Sequence, residues 1–268
     1  MTMINGSLVV VRGAGDLATG CILRLVRCGF RVVALEVAEP SAIRRTVSFS
    51  EAMYDGVAWV EGVQAVRCER VPERWSSGDP VALLRDPEAR SLAALAPIAL
   101  VDAILAKRNL GTTRAMAPVV VALGPGFEAG TDCHAVVETN RGHDLGRVLQ
   151  SGCAEANTGV PGLIAGHGGE RVIHAPRAGR VEPLCAIGDA VRAGDPLLAI
   201  EGVMIPAAIA GVVRGLIRPG FLAHAGLKVA DIDPRGTRAH CFTVSDKARA
   251  IAGGVLEAIL LLGAGEAG

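Results

Sequence analysis

The residues best suited to chemistry are concentrated in one segment, 124–146, which reads GPGFEAGTDCHAVVETNRGHDLG. It contains five glycines and two histidines, and it directly follows the apolar run APVVVAL. Backbone N–H groups of Gly124, Gly126 and Phe127 can surround an anion at such a strand exit, whereas Pro125 has no N–H to donate. Because ligands of parallel α/β sheets bind at the carboxyl ends of the strands, we expect Gly124, Gly126 and Phe127 to bind a cofactor. A plain Gly-Pro-Gly turn is the alternative.

Two polar side chains of the same segment suit different tasks. His143 stands beside Asp144, and a neighbouring carboxylate can tune an imidazole for general acid–base catalysis near neutral pH. Arg141 is suited to holding a phosphate or carboxylate through paired hydrogen bonds. The alternative is a surface pair of Arg141 and Asp144, with His143 capping a turn.

A metal site is disfavoured in this segment. The stretch HAVVET alternates as a strand, which puts His134 and Glu138 on one face, while Asp132 and His143 lie outside it. Their spacing does not approach a zinc signature. The sequence therefore predicts no bound metal.

A second glycine-rich turn, GAGDLATG, lies between the β-branched run SLVVVR and the helical stretch CILRLVRCGF. Gly13, Gly15 and Gly20 occupy positions where a dinucleotide fold turns tightly and presents a helix N-terminus to a pyrophosphate. Asp16 departs from that pattern because it repels phosphate, although it can cap the helix. Glu36 ends the next strand about 20 residues on, where a carboxylate can accept hydrogen bonds from a ribose. We expect a nucleotide or related phosphate ligand here; glycines that only allow close helix–sheet packing are the alternative.

Asp102 ends the run IALVD at another predicted strand exit, with Lys107 and Arg108 close behind. Ligands are usually held at this edge of a sheet, so Asp102 is a candidate for orienting a cofactor group beside two cations. A helix cap followed by solvated charges is the alternative.

The elements that must position these residues form a chain-wide pattern. Strands alternate with helical stretches over residues 1–123, which predicts an α/β domain with a Rossmann-like parallel sheet. A glycine-rich middle region follows at 124–169. Turns recur every few residues at 170–236, which favours a small module of short antiparallel strands. Residues 237–268 form a terminal segment whose helix begins at Ser245.

Composition excludes several partners. Lys+Arg and Asp+Glu both total 27, so a general electrostatic grip on nucleic acid or on an anionic membrane is not expected. The first residues lack a secretory signal, and no apolar run approaches the ~20 residues that span a bilayer. Seven scattered cysteines without a CxxC pair predict free thiols and a cytoplasmic protein.

Residues 175–218 resemble the barrel-sandwich fold of biotinyl and lipoyl carrier domains. In these domains a stretch like GDAVRAGDPL precedes a hairpin, and a second stretch with a proline followed by a glycine and a valine comes after it. Pro206, Gly211 and Val212 match that second stretch. Carrier domains display a lysine in the hairpin turn, where this sequence reads EGVMI at 201–205. The resemblance therefore implies the fold without the swinging-arm function.

Several segments together resemble a more specific family. RGAGDLATG, RRTVSFSEAMYDG, VDAILAKRN, LGPGFEAGTDCHAVVETNRGHDLGRV and NTGVPG, in this order, are similar to the selenium-dependent molybdenum hydroxylase maturation proteins, a group of bacterial accessory proteins. The resemblance implies binding of a molybdopterin-type cofactor or a nucleotide for its modification or insertion. It also implies a molybdenum hydroxylase or other cofactor-maturation proteins as partners.

Within that family role, Cys133 or Cys153 would hold sulfur or selenium, which requires an accessible thiolate of low pKa. Two alternatives stay open. One is an NAD(P)-dependent oxidoreductase that uses GAGDLATG and Glu36; it ranks lower because of Asp16. The other is a non-catalytic docking scaffold for the hydroxylase.

Overall fold

The computed structural model describes residues 6–71, 75–76 and 78–264. The chain divides into two compact units. Unit 1 comprises the described residues of Met1–Pro40, Ser48–Asn157 and Val244–Gly268, and unit 2 comprises Ser41–Val47 and Thr158–Thr243. This division differs from the boundaries expected at 123, 169 and 236, because most of the glycine-rich middle region and the terminal helix belong to unit 1.

Unit 1 contains eleven strands and four α-helices among its described residues. The strands are β1 (Leu8–Arg12), β2 (Arg31–Glu36), β3 (Val57–Val60), β4 (Val63–Cys68), β5 (Val81–Arg85), β6 (Ala99–Asp102), β7 (Val119–Leu123), β8 (Glu128–Ala129), β9 (Ala135–Val137), β10 (Val148–Leu149) and β11 (Gly152–Cys153). The helices are α1 (Asp16–Arg27), α2 (Ala52–Asp55), α3 (Leu92–Leu95) and α4 (Asp246–Ala264).

Nine of these strands form one mixed sheet in the order β10-β9-β7-β6-β1-β2-β5-β4-β3. The seven central strands pair in parallel, and the edge strands β3 and β10 are antiparallel to their neighbours. The central strands are apolar on both faces, as strands covered on two sides must be: Val9, Val10 and Val11 are all fully buried. The expected α/β class and the C-terminal helix are confirmed.

The helices of unit 1 are fewer than the alternating pattern predicts. Of the four helices in the described residues, only α1 and α4 exceed one turn, whereas α2 and α3 have four residues each. The link from β6 to β7 contains only a short 3-10 turn, Arg114–Met116. Within the described residues, no helix is both long enough and apolar enough to cross a membrane.

Glycines let α4 approach its neighbours closely. A Cβ on Gly20 of α1 would lie 2.8 Å from the Cβ of Ala248 in α4. A Cβ on Gly254 of α4 would overlap the carbonyl oxygen of Gly146, and one on Gly146 would lie 2.7 Å from the carbonyl oxygen of Ala250. Helix packing therefore gives Gly20 a structural role, and its expected part in cofactor binding stays a prediction.

Unit 2 contains eight strands: β12 (Val172–His174), β13 (Gly179–Pro183), β14 (Ala190–Val191), β15 (Pro196–Ile200), β16 (Val203–Pro206), β17 (Gly211–Leu216), β18 (Leu222–Ala223) and β19 (Lys228–Asp233). They form two four-stranded sheets in the orders β12-β19-β17-β14 and β16-β15-β13-β18. All of their strand pairs are antiparallel. Aliphatic side chains such as Leu198, Val213 and Ile232 form the core.

Two adjacent glycines of α4 should respond oppositely to the same substitution. Gly254→Ala places a methyl group against the backbone of Gly146 and should destabilise the protein by about 1–3 kcal/mol. Gly253→Ala meets no atom within 4 Å and should be neutral or stabilise by up to about 1 kcal/mol through helix propensity. Urea unfolding of both variants tests this, and equal effects would contradict the packing of α4.

Candidate functional site

The carboxyl ends of the central strands meet at one edge of unit 1. Strand registers pair Arg12 of β1 with Asp102 of β6, and Asp102 with Ala122 of β7. β1 lies between β2 and β6, so the chain leaves β1 to one side and later returns to the other. In parallel α/β sheets, ligands bind outside the strand ends at such a reversal.

The turn after β1 is held in shape by its neighbours. Gly13 has φ +97°, and its N–H donates to the carbonyl oxygen of Leu35 at 2.7 Å. The N–H of Ala14 donates to Glu36 Oε2 at 2.8 Å, and the N–H of Val37 donates to Glu36 Oε1 at 2.8 Å. Burial raises the pKa of Glu36, and these two hydrogen bonds oppose that rise. Glu36 therefore braces the turn from the end of β2.

The residue before α1 faces open space. Within the described part of the chain, no atom beyond its chain neighbours lies within 4 Å of the position that a Cβ on Gly15 would take. Asp16 is the first helical residue, and it interacts electrostatically with Lys247 of α4. This end of α1 thus has room for a ligand beside a carboxylate that already has a cationic neighbour.

Asp102 belongs to a buried network. Its side chain accepts hydrogen bonds from Thr112 Oγ1 at 2.5 Å and from the N–H of Ile104 at 3.2 Å. Arg12, which the sequence analysis missed, pairs with Asp102 at 3.4 Å and also donates to Thr112 Oγ1 and to the carbonyl oxygen of Pro87. Asp102 is 1% exposed, so it holds the loop after β6 in place instead of presenting its carboxylate at the surface.

The turn after β7 is closely packed. A Cβ on Gly124 would overlap the hydroxyl of Thr139, and a Cβ on Gly126 would lie 2.5 Å from the Cα of Arg108. Phe127 is 5% exposed and belongs to the apolar core of unit 1. The glycines therefore bring loops together, and Phe127 packs in the core. The expected cofactor binding by Gly124, Gly126 and Phe127 stays a prediction.

Cys133 is a core residue. It is 0% exposed, and burial, reinforced by Asp132, raises the pKa of its thiol to about 12. A thiol of that pKa stays protonated at neutral pH and is a poor nucleophile. Burial thus disfavours Cys133 as a nucleophile, and its expected catalytic role stays a prediction. Cys153 lies exposed in β11.

Arg141 and Asp144, which follow β9, each form an ion pair with another residue and not with each other. Arg141 forms two hydrogen bonds with Asp246 of α4, at 2.7 and 3.2 Å, and Asp144 pairs with Arg147 at 2.9 Å. His143 is exposed on the same loop. The expected catalytic role of His143 beside Asp144 stays a prediction.

A cationic cluster forms where the first turn of α4 reaches this edge. Lys247 interacts electrostatically with Arg141 and Lys107, and with the carboxylates of Asp16 and Glu138. Burial lowers the pKa of Lys247, the two cations lower it further, and the two carboxylates oppose this. We call these five residues the edge cluster.

Two members of the edge cluster form hydrogen bonds of their own. Glu138 is buried, and its carboxylate accepts hydrogen bonds from the N–H groups of Asn140 at 2.6 Å and Glu155 at 2.7 Å. The Lys107 ammonium donates to Asn157 Oδ1 at 2.8 Å. Lys247 escaped the sequence analysis, although its place two residues after the predicted cap Ser245 was a usable signal.

The edge cluster suits an anion. Its cations offer ammonium and guanidinium donors of the kind that hold phosphate or carboxylate groups. In the parts of the chain that the structure describes, no three His, Cys, Asp or Glu side chains are arranged to hold a metal ion.

Comparisons with known proteins find one informative sequence relative. No family model matches the chain. The chain is 52% identical over 257 residues to a protein of Escherichia coli strain K12 described as "Uncharacterized protein YqeB". That match covers 95% of this chain and 48% of the relative, so the chain spans about half the length of that protein.

Solved structures similar to this chain carry a different description from the expected family. An aspartoacylase family protein from Mesorhizobium loti is 13% identical, with a TM-score of 0.30. A succinylglutamate desuccinylase/aspartoacylase from Rhodobacter sphaeroides is 16% identical, with a TM-score of 0.28. Both matches cover 85% of each chain. At these TM-scores the likeness carries no activity over to this chain.

The expected family membership is contradicted. The similar structures are described as aspartoacylase or desuccinylase proteins, not as selenium-dependent molybdenum hydroxylase maturation proteins. The comparisons therefore give no support to the maturation role or to its molybdenum and selenium context. The alternatives, an NAD(P)-dependent oxidoreductase and a docking scaffold for the hydroxylase, are unsupported as well.

Thiol labelling should separate Cys133 from Cys153. Iodoacetamide at neutral pH should alkylate exposed Cys153 and leave Cys133 unmodified, because the Cys133 thiol is buried and protonated. Peptide mass spectrometry reads out both sites, and labelling in urea provides the control for Cys133. Equal labelling rates in the folded protein would contradict the core position of Cys133.

Replacing Lys247 by methionine should stabilise the unliganded protein by a few tenths to about 1 kcal/mol at neutral pH. The lowered pKa means that the folded protein binds the Lys247 proton less tightly than the unfolded chain does, so the charged amine opposes folding. This penalty fades as pH rises from the folded pKa toward 10.5, so the advantage of Lys247→Met should shrink over that window.

Urea unfolding at several pH values measures this effect. Arg147→Met, which removes an exposed positive charge from the same edge, is the control and should show no such pH dependence. If the free energy of unfolding differed between Lys247→Met and the parent protein by the same amount at all pH values, the lowered pKa of Lys247 would be contradicted.

Proposed function

We propose that unit 1 binds a small anionic molecule at the carboxyl edge of its sheet, with a phosphate-bearing nucleotide as the first candidate. The observation that carries this proposal is the edge cluster, in which Lys247 interacts electrostatically with Arg141 and Lys107 and with Asp16, the first residue of α1. Like charges repel one another, so a folded protein that keeps three cations together gains when an anion neutralises them.

The strand order supports the nucleotide candidate. The sequence β5-β2-β1-β6-β7-β9 within the sheet matches the doubly wound order of a Rossmann-like fold, with the crevice between β1 and β6. Glu36 stands at the end of β2, where such folds hold a ribose. Each of its carboxylate oxygens accepts one backbone N–H and retains capacity for a hydroxyl donor.

Charge on the two sides of the crevice differs, which suggests how the ligand lies. Asp16 disfavours a phosphate directly over the end of α1. Lys107, Arg141 and Lys247 favour one beyond β6 and β7. We therefore place the ligand's anionic group on the β7 side and its hydroxyl groups toward Glu36.

Arg141 can bind the ligand while it keeps its ion pair with Asp246. Its side chain is 33% exposed, and its pair with Asp246 uses only two of five N–H donors. A partly exposed pair contributes little stability, so an incoming phosphate can share or replace the carboxylate.

For unit 2 we propose a barrel-sandwich module of the biotinyl/lipoyl type that does not carry a swinging arm. Two facing four-stranded antiparallel arrays with an aliphatic core support that fold. Glu201 and Gly202 form the turn between β15 and β16, where a carrier domain needs a lysine to modify.

Isothermal titration with adenosine 5′-monophosphate tests the proposal for unit 1. Lys247→Met and Arg141→Met should each weaken binding about tenfold, which corresponds to about 1.4 kcal/mol. Arg147→Met removes the same charge from an exposed pair on the same loop and should leave affinity within about twofold.

Adenosine, which has no phosphate, is the ligand control and should bind much more weakly. Absence of saturable binding to the parent protein, or equal losses in all three variants, would contradict an anion site formed by the edge cluster.

A further inference from the structure

The loop that follows β6 has a backbone conformation found at anion-binding loops. Leu105 has φ +59° and Lys107 has φ +63°, whereas Ala106 between them has a negative φ. Left-handed conformations are uncommon for residues with a side chain, and they persist only where the surrounding structure holds them. Successive residues whose φ alternates in sign turn their N–H groups toward one side, and the concave nest that results binds anions.

Two glycine turns hold this loop at its ends. A Cβ on Gly13, which follows β1, would lie 2.9 Å from the carbonyl oxygen of Ala103. A Cβ on Gly126, which follows β7, would lie 2.5 Å from the Cα of Arg108. The loop after β6 is therefore packed against the exits of both neighbouring strands, and this packing supports the strained backbone between its ends.

The N–H groups in the middle of the loop have no acceptor in the protein. The N–H of Ile104 donates to Asp102 Oδ1 at 3.2 Å. Among the residues that the structure describes, no atom accepts a hydrogen bond from the N–H groups of Leu105, Ala106 or Lys107. Ala106 and Lys107 are exposed, so a ligand can approach their backbone. Three adjacent donors thus remain for a group that comes from solution.

Two positive charges lie on the same loop. The Lys107 ammonium donates to Asn157 Oδ1 at 2.8 Å, and this neutral amide leaves the charge of Lys107 in place. Arg108 is exposed, and it forms no ion pair with a carboxylate in the described part of the chain. Backbone donors and cationic side chains on one loop are the combination that binds phosphate groups.

We propose that the N–H groups of Leu105, Ala106 and Lys107 form a nest that binds a phosphate monoester, with the side chains of Lys107 and Arg108 beside it. This inference rests on the anion site proposed above and locates the phosphate of the same ligand. A phosphate monoester offers three oxygens to these donors, whereas a carboxylate offers two.

The loop after β7, where the sequence favours such a turn, is less suitable. The N–H of Gly124 donates to the carbonyl oxygen of Val137 at 2.9 Å, and Pro125 has no N–H. The loop after β6 therefore offers the longer run of available donors.

Amide NMR spectroscopy of the ¹⁵N-labelled parent protein tests the nest directly. Titration with inorganic phosphate should shift the amide proton resonances of Leu105, Ala106 and Lys107 downfield and to saturation, because a hydrogen bond to an anion deshields the proton. Acetate at the same concentration should shift them less. Unchanged resonances at these three amides, or equal shifts with phosphate and acetate, would overturn the proposal.

A substitution that changes backbone preference without changing charge provides the second test. Leu105→Val should weaken binding of inorganic phosphate about tenfold, because a β-branched side chain disfavours the left-handed conformation. Ala96→Val introduces the same side chain at another left-handed residue, with φ +43°, in the exposed turn before β6. This control should leave the affinity within about twofold of the parent, and equal losses in both variants would count against the nest.

Failure of the nest is distinguishable from failure of the edge cluster. If Lys247→Met and Arg141→Met weaken binding of adenosine 5′-monophosphate, but Leu105→Val does not and the three loop amides stay unshifted, the nest is overturned and the edge cluster stands. If the loop amides shift and Leu105→Val alone weakens binding, the nest is supported and the edge cluster is overturned. If the parent protein binds neither inorganic phosphate nor the nucleotide, both are overturned.

Discussion

Close approach of α4 to the rest of unit 1 is the contact on which the candidate site depends. Gly20 lets α1 pack directly against Ala248, and Gly254 lets α4 touch the backbone at Gly146. A methyl group at either glycine would push the helix outward. Because Lys247 and Asp246 occupy the first turn of α4, the position of the helix decides whether they reach the strand ends. The same packing therefore affects the stability of unit 1 and determines which residues lie near the carboxyl ends of its strands.

Two kinds of polar residue lie at that edge, and they differ in how their charge is compensated. Arg12 and Asp102 are buried together, share Thr112 and are hydrogen-bonded to backbone, so they brace the loop after β6. The three cations of the edge cluster meet two carboxylates, one of which, Glu138, is already committed to two backbone N–H groups. A structural network favours full pairing. Because Asp246 pairs with Arg141, the edge cluster and this partner together carry three positive and three negative charges, so an anionic ligand would have to share or replace a carboxylate.

The sequence predicts the sheet better than it predicts the site. Runs such as VVV at 9–11 and 119–121 are apolar on both faces, and that local property is enough to indicate central strands. The role of Gly20 cannot be inferred in the same way, because its partner Ala248 is far along the chain and its spacing fits a phosphate turn equally well. Cys133 sits in a polar, glycine-rich stretch, yet a parallel register beside β7 carries the adjoining strand into the core. Site residues that come from distant segments become visible only when packing brings those segments together.

Asp16 illustrates this limit most clearly. Within the motif GAGDLATG it departs from the phosphate-binding pattern, because a carboxylate beside a helix N-terminus repels the phosphate that the glycines are suited to bind. In the folded unit it faces Lys247, whose ammonium it favours, and so it partly balances the two cations that disfavour it. Its charge thus acts on the Lys247 ammonium, which comes from a segment far along the chain. The glycine-rich turn and the first turn of α4 are consequently electrostatic neighbours, and neither can be interpreted from its own segment.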